Sequence, residues 1–262
     1  MQRKPPAKDA GKHGTKPRAL LLAGALALGL LGCGASNHFP VGSYKRGALF
    51  NEQGKHREAV QALDAFIRTS PTDSLVAQAQ FLKSLSYMKM KEYPMAAVEL
   101  RILCKDYPTS EYVEEAEFLQ GVADFEQVGR IQRDISAAYE ARDQFRRFLK
   151  LYPDSRHAEE AREYLHRIAD MVVRKRLAQA RVYEHLGQHD AAVVVLGTTL
   201  EQERDSGLLD RVLLFRGEEA EKAGELDVAR ESYQRLLEDY PQSKLAGAAH
   251  KALERLRDAT AS

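Results

Sequence analysis

The chain has 262 residues, 39 Lys plus Arg against 38 Asp plus Glu, and a formal net charge of +1. That balance lacks the strongly basic footprint of a general nucleic-acid binder. Two cysteines, Cys33 and Cys104, exclude a disulfide-stapled scaffold.

The first element is an apolar run, "ALLLAGALALGLL", from Ala19 to Leu31. Thirteen uncharged residues are too few to span a bilayer, which takes about twenty. Arg3, Lys4, Lys8, Lys12, Lys16 and Arg18 precede it against the single Asp9, so residues 1–32 read as a secretion signal. Its end, Leu30-Leu31-Gly32-Cys33, resembles the lipobox of bacterial lipoproteins. The resemblance implies cleavage between Gly32 and Cys33, a diacylglycerol on the Cys33 thiol and an acyl chain on the new amino terminus. The alternatives are a plain secretory signal with an incidental Cys, or an uncleaved apolar tail. Several acyl chains, each buried CH2 worth about 0.8 kcal/mol, would hold the protein on a membrane. Without residues 1–32 the chain carries 33 basic against 37 acidic residues, about −4, and Cys104 is its only unmodified thiol. Cys104 lies in the apolar-patterned "AAVELRILCKDYP" and reads as a small packing residue.

After a tether at 33–41, residues 42–262 are organised by a repeat. "KDYPTSEYVEEAEFL", "KLYPDSRHAEEAREYL" and "EDYPQSKLAGAAHKAL" share Tyr-Pro-x-Ser and an Ala eight residues after the Pro: Ala116, Ala161 and Ala249. A degenerate copy keeps Pro71 and Ala79. Each Pro should stop a helix, and the Ser or Asp two residues on should cap the next. Ala59, Ala96, Ala141 and Ala229 stand twelve residues before a Pro, and Gly47, Ser84 and Gly217 twelve before three of those Ala. Ala180 and Ala192 keep the interval, with Arg204 in place of the Pro. Turn glycines Gly54, Gly187 and Gly224 fall seven after the small residue, where the second copy has "KEYP". This spacing is similar to the tetratricopeptide repeat. It predicts an all-α superhelix of five helix pairs, with "KLAGAAHKALERLRDA" as a capping helix. In the third copy the interval from Gly121 to Ala141 is twenty, an insertion of eight residues near 124–136. Such insertions become loops and often touch partners.

No catalytic constellation assembles. "GALFNEQGKH" lacks the phosphate-loop spacing. His185 and His189 flank the predicted turn at Gly187 and need not share a face as metal ligands would. Arg142, Arg146, Arg147 and Lys150 read as the solvated face of a helix whose other face carries Phe145 and Phe148. The first helices align Tyr44, Phe81 and Phe118, then Ala48, Leu85 and Val122, then Asn51, Met88 and Phe125. Packed core between helices is the favoured reading of this ladder. The other makes Tyr44, Phe81, Leu85, Met88, Phe118 and Phe125 an aromatic rail for an extended peptide.

The lipobox, the short tether and five repeats joined by Tyr-Pro-x-Ser together resemble the BamD family of the β-barrel assembly machinery of Gram-negative outer membranes. The likeness is clearest from Arg133-Asp134 through Phe145, Phe148 and Tyr152-Pro153-x-Ser155 to a long helix ending near Tyr183. In that helix Val172-Val173, Arg176 and Val182-Tyr183 depart from the family's usual residues, so no insertase contact carries over there. The resemblance implies a lipid-anchored, cofactor-free adaptor on the periplasmic face. Its amino-terminal repeats would receive unfolded outer-membrane proteins, and its carboxyl-terminal repeats would dock on a barrel insertase with POTRA-type domains beside other assembly lipoproteins. Gly34 after Cys33 resembles signals sent on to the outer membrane. Lipoproteins of Tol-Pal and cell-wall coordination, or of pilus assembly, share the link motif and are the alternatives.

Overall fold

The computed structural model describes residues 39–128 and 136–260. The signal segment, Gly32, Cys33, most of the tether, Arg133, Asp134 and the middle of the insertion lie outside the described residues. The compact unit begins at Phe39. Among the described residues it is entirely helical, and no helix is long and apolar enough to cross a membrane.

Five antiparallel pairs follow one another: α1 (Tyr44–Glu52) with α2 (His56–Thr69), α3 (Val76–Lys89) with α4 (Tyr93–Asp106), α5 (Val113–Glu126) with α6 (Ser136–Leu151), α7 (Ala158–His185) with α8 (His189–Gln202), and α9 (Leu209–Ala223) with α10 (Leu226–Asp239). A last helix, α11 (Ala246–Thr260), packs on α10. This is the tetratricopeptide superhelix that the spacing predicts.

The alanines that mark the period are the residues on which helices close. Ala59, Ala79, Ala96, Ala116, Ala141, Ala161, Ala180, Ala192, Ala229 and Ala249 are all fully buried. The small residues of the first helices sit under a large side chain of the second. A Cβ on Gly47 would fall 2.6 Å from Leu63, on Gly121 2.8 Å from Phe145, and on Gly217 within 2.4 Å of Tyr233. Axes this close leave room for no side chain there. At the turns Gly54, Gly187 and Gly224 have positive φ, and in "KEYP" Lys91 takes the same left-handed conformation at φ 59°.

The link serine does something other than cap the next helix. The N-caps of α5 and α7 are Tyr112 and His157, neither with a side-chain cap bond. Ser110, Ser155, Ser206 and Ser243 instead accept the N–H two residues on. Three of these hydroxyls also donate back to an acid of an earlier helix, Ser155 to Glu114, Ser206 to Asp170 and Ser243 to Asp210, each at 2.6 Å. They are local turn formers that pin each link to the array.

Helix α7 has 28 residues where α3 and α5 have 14. Its first half, following Tyr152-Pro153-x-Ser155, caps α6 as α11 caps α10, while its second half is the first helix of the fourth pair. The core divides at its middle: Ile168 and Val172 belong with Phe118, Phe145 and Phe148, whereas Val173 and Ala180 belong with Leu196, Leu213 and Tyr233. Over this junction folds the link that lost its Pro. His166 Nδ1 lies 2.6 Å from the Asp205 carbonyl, and Asp170 accepts from Ser206 and from the Gly207 amide at 2.9 Å. Glu203, where other links have Tyr107, Tyr152 or Tyr240, is 5% exposed and receives Arg142 Nη1 at 2.9 and 3.1 Å. Arg142 is therefore a half-buried anchor and not part of a solvated basic face. Arg147 pairs with Glu117 at 2.7 Å and keeps an exposed side chain, while Arg146 and Lys150 are exposed.

Candidate functional site

The first-helix ladder is resolved by what comes four residues after each link proline. Phe81 is 6% exposed and stacks on Tyr112, centroids 5.0 Å apart at 19°. Phe118 is 3% exposed and stacks on His157 at 4.4 Å and 11°, with Phe145 and Phe148 on its other sides. Tyr112 and His157 stand at the same place in the repeat, so the second and third links each lay a planar group over the aromatic of the preceding first helix. Leu177 with Leu208 and Leu214 with Leu245 occupy the same two positions in the fourth and fifth pairs, packed on one core. Phe125 is 8% exposed, edge-on to Tyr164 at 5.0 Å and under the Arg167 guanidinium at 4.6 Å.

Phe81, Phe118 and Phe125 are therefore packing residues, and a continuous aromatic rail open to a peptide does not form on them. The covering groups are themselves legible in the sequence, as the aromatic or His four residues after Pro108 and Pro153. Tyr44, Leu85, Met88 and Val122 keep partial exposure. Tyr44 meets Phe66 edge-on at 5.9 Å, and burial raises its phenol pKa above the ordinary value. Leu85 borders the Phe81 cluster, and Met88 borders Ala96, Ala97 and Ala123. Asn51 donates to Ser86 at 2.8 Å and ties α1 to α3.

Polar side chains couple the helices beneath this surface. Lys83 reaches Asp64 and Glu99, both at 2.9 Å. Burial alone lowers the Lys83 pKa, but hydrogen bonds to Glu99 and Asp64 outweigh it and the net shift is upward. Gln144 donates to Glu117, and Glu219, fully buried, is held between His189 at 2.8 Å and Lys222 at 2.6 Å. His189 is thus engaged by a carboxylate. Among the described residues no group of three or more His, Cys, Asp and Glu is placed to hold a metal ion. Burial, helped by Glu117, pushes the Cys104 thiol up to about 12, so it is a poor nucleophile at neutral pH. Burial likewise raises Asp124 to about 6, Arg101 opposing and Glu140 adding to the shift.

Stacked helix pairs closed by an end helix define a tetratricopeptide-repeat scaffold, and a tetratricopeptide-repeat profile matches residues 218–243. The chain belongs to the outer membrane lipoprotein family YfiO, whose profile matches residues 40–206. Over 150 residues it is 25% identical to the outer membrane protein assembly factor BamD of Caulobacter vibrioides. That stretch is 57% of this chain and 49% of the relative, so the match spans about half the relative's length. Among solved structures, the MamA protein is 19% identical over 73% of this chain and 86% of its own, with a TM-score of 0.35. A thermophilic repeat protein of Thermus thermophilus is 17% identical over 80% and 96%, with a TM-score of 0.34. Neither bears on function.

Proposed function

We propose that this protein is a non-enzymatic adaptor in outer-membrane protein assembly, held at the periplasmic face of the outer membrane by a diacylglycerol and an N-acyl chain on Cys33. The observation that carries this reading is the family match, which runs from the first helix pair through the α7 junction. Within α7 the core changes over between Val172, which packs with Phe118, Phe145 and Phe148, and Val173, which packs with Leu196, Leu213 and Tyr233. The amino-terminal end would receive an extended, aromatic-ending segment of an unfolded outer-membrane protein on the partly exposed apolar side chains of Tyr44, Leu85, Met88 and Val122. The carboxyl-terminal end would dock on the POTRA-type domains of a barrel insertase, alongside other assembly lipoproteins. A surface of half-exposed apolar groups suits such a segment, because main-chain and side-chain contacts both contribute without a preformed deep pocket.

Gentle detergent extraction of the envelope, capture of a tagged copy and mass spectrometry of what stays bound tests the assignment. A barrel insertase recovered in near-equal amount is the expected result. Tol-Pal, peptidoglycan-synthesis or pilus components without it would assign the scaffold to another assembly. For the receiving surface, Leu85→Ser with Met88→Ser should weaken binding of a peptide ending in Phe while the helical signal persists.

A further inference from the structure

One residue before the small residue of each first helix stands a long polar side chain: Arg46, Lys83, Gln120, Gln179 and Arg216. In three of the five pairs its partner stands three residues after the alanine of the second helix, while the fourth pair has Val195 there. Lys83 bonds Glu99, Gln120 receives Gln144 as its acceptor at 3.4 Å, and Arg216 donates to Ser232 at 3.1 Å. Lys83 has in addition Asp64, supplied by α2 of the preceding pair.

The first pair departs from this pattern too, in two ways, and leaves a cation where the fourth leaves an amide. The residue three after Ala59 is Ala62, which accepts nothing, and among the described residues no helix precedes α1 to supply the counterpart of Asp64. Arg46 donates only to the Phe39 carbonyl at 3.3 Å and lies over the Phe50 ring at 5.6 Å, with no ion pair among the described residues. It lines a groove of about 220 Å³ on α1, α2 and the segment before them, together with Val41, Phe50, Ala62, Ala65 and Glu58. Val41 is highly exposed. The chain's own segment from Cys33 to His38 contains no Asp or Glu and has no carboxylate to offer.

We propose that this groove is a docking seat for an amphipathic helix of a partner protein, which lays an apolar stripe on Val41, Phe50, Ala62 and Ala65 and sets a carboxylate against Arg46. The chain already contains the template: α2 presents Leu63 and Phe66 to Val76 and Ala79 of α3, and Asp64 to Lys83. A helix in a groove with one paired charge obtains its adhesion from the apolar stripe and its register from the charge. Glu58, which also lines the groove, adds a second element of register by favouring a cation on the same helix. The inference stands on the repeat geometry and is independent of the assembly reading.

The test is a fluorescence-anisotropy titration of the full chain with a lactam-stapled peptide of residues 55–70, "KHREAVQALDAFIRTS", as the probe. Saturable binding is expected, weakened about tenfold or more by Arg46→Glu in the chain or Asp64→Lys in the peptide, and recovered when the two are combined; tenfold corresponds to about 1.4 kcal/mol. If Arg46→Glu loses native helicity by circular dichroism, Ala65→Glu, at a half-exposed site on α2, makes the same test by placing a charge in the groove. No saturable binding, or binding indifferent to both exchanges, overturns the proposal. It is equally overturned if Arg46 is needed instead for retention on phosphatidylglycerol vesicles or for self-association in sedimentation, since the seat would then belong to a membrane surface or a second copy.

Discussion

Glu203→Tyr is the substitution a reader of the repeat would choose, since Tyr stands at that place in three of the other four links, and it should nevertheless destabilise the protein. Glu203 is almost completely buried and takes both of its short bonds from one Arg142 nitrogen, whose side chain is 17% exposed. At an effective dielectric of 20, a pair of charges 4 Å apart gains about 4 kcal/mol. Removing one partner of a buried pair leaves the other uncompensated, at a cost of about 3–5 kcal/mol. Among the described residues Arg142 Nε has no acceptor, and only the Tyr139 ring, 4.8 Å from the guanidinium carbon, remains to offset the stranded charge. We expect a loss of about 2–4 kcal/mol in urea unfolding followed by circular dichroism, with faster amide exchange at 203–208. Arg142→Leu in the Glu203→Tyr background should restore most of that loss, and the double-mutant cycle should give a coupling of about 1–3 kcal/mol. A Tyr variant as stable as the wild type, or a coupling near zero, would refute the view that this ion pair holds the fourth link down.

Three further outcomes follow from the packing and the titrating groups. Gly121→Ala should cost about 1–3 kcal/mol, since its Cβ would meet the Phe145 ring, which is fully buried and cannot yield; a drop in the urea midpoint measures it. Lys91→Gly should raise stability by up to about 1 kcal/mol by removing the left-handed penalty that the glycines at the same place in other turns avoid, read as a higher melting temperature. Asp124 has its folded pKa raised from the ordinary 3.8 to about 6, so the folded state binds the proton more tightly and stability from this group falls as pH rises from about 4 to about 6. Two units set a ceiling of about 3 kcal/mol, reduced to about 1 by solvent screening. Asp124→Asn should therefore gain most at pH 7.5 and little at pH 4, in paired urea titrations; equal effects at both would refute it.

What the sequence discloses is whatever recurs. Pro71, Pro108, Pro153 and Pro241 mark links that the structure has, and the buried alanines fall on the period because only a methyl group fits where helices close. The long helix ending near Tyr183 came from the family resemblance, and α7 runs to His185. What does not recur stayed hidden. Arg142 and Glu203 are 61 residues apart, and neither belongs to the pattern, so Arg142 read as one more solvated cation. The ladder was visible, but whether it faces a groove or a core depends on Tyr112 and His157, which act from the next link and are invisible to a reading of one helix at a time. The link serines had the right chemistry for a cap and the wrong distance, two residues before the N-cap.

The extra 14 residues of α7 also carry a phase. At 100° per residue they turn the helix through 1400°, only about 40° short of four full revolutions, and advance it by about 21 Å. The second array thus resumes nearly the azimuth at which the first one stopped, as though the chain had slid along its own axis with little rotation. One residue added to or removed from the middle of α7 would swing every later helix by about 100° and pull Asp170 away from Ser206 and Gly207. Four added residues would nearly preserve the azimuth while lengthening the spacing by about 6 Å. Length in this helix is therefore quantised in whole turns, and it gauges how far apart the two halves of the array stand.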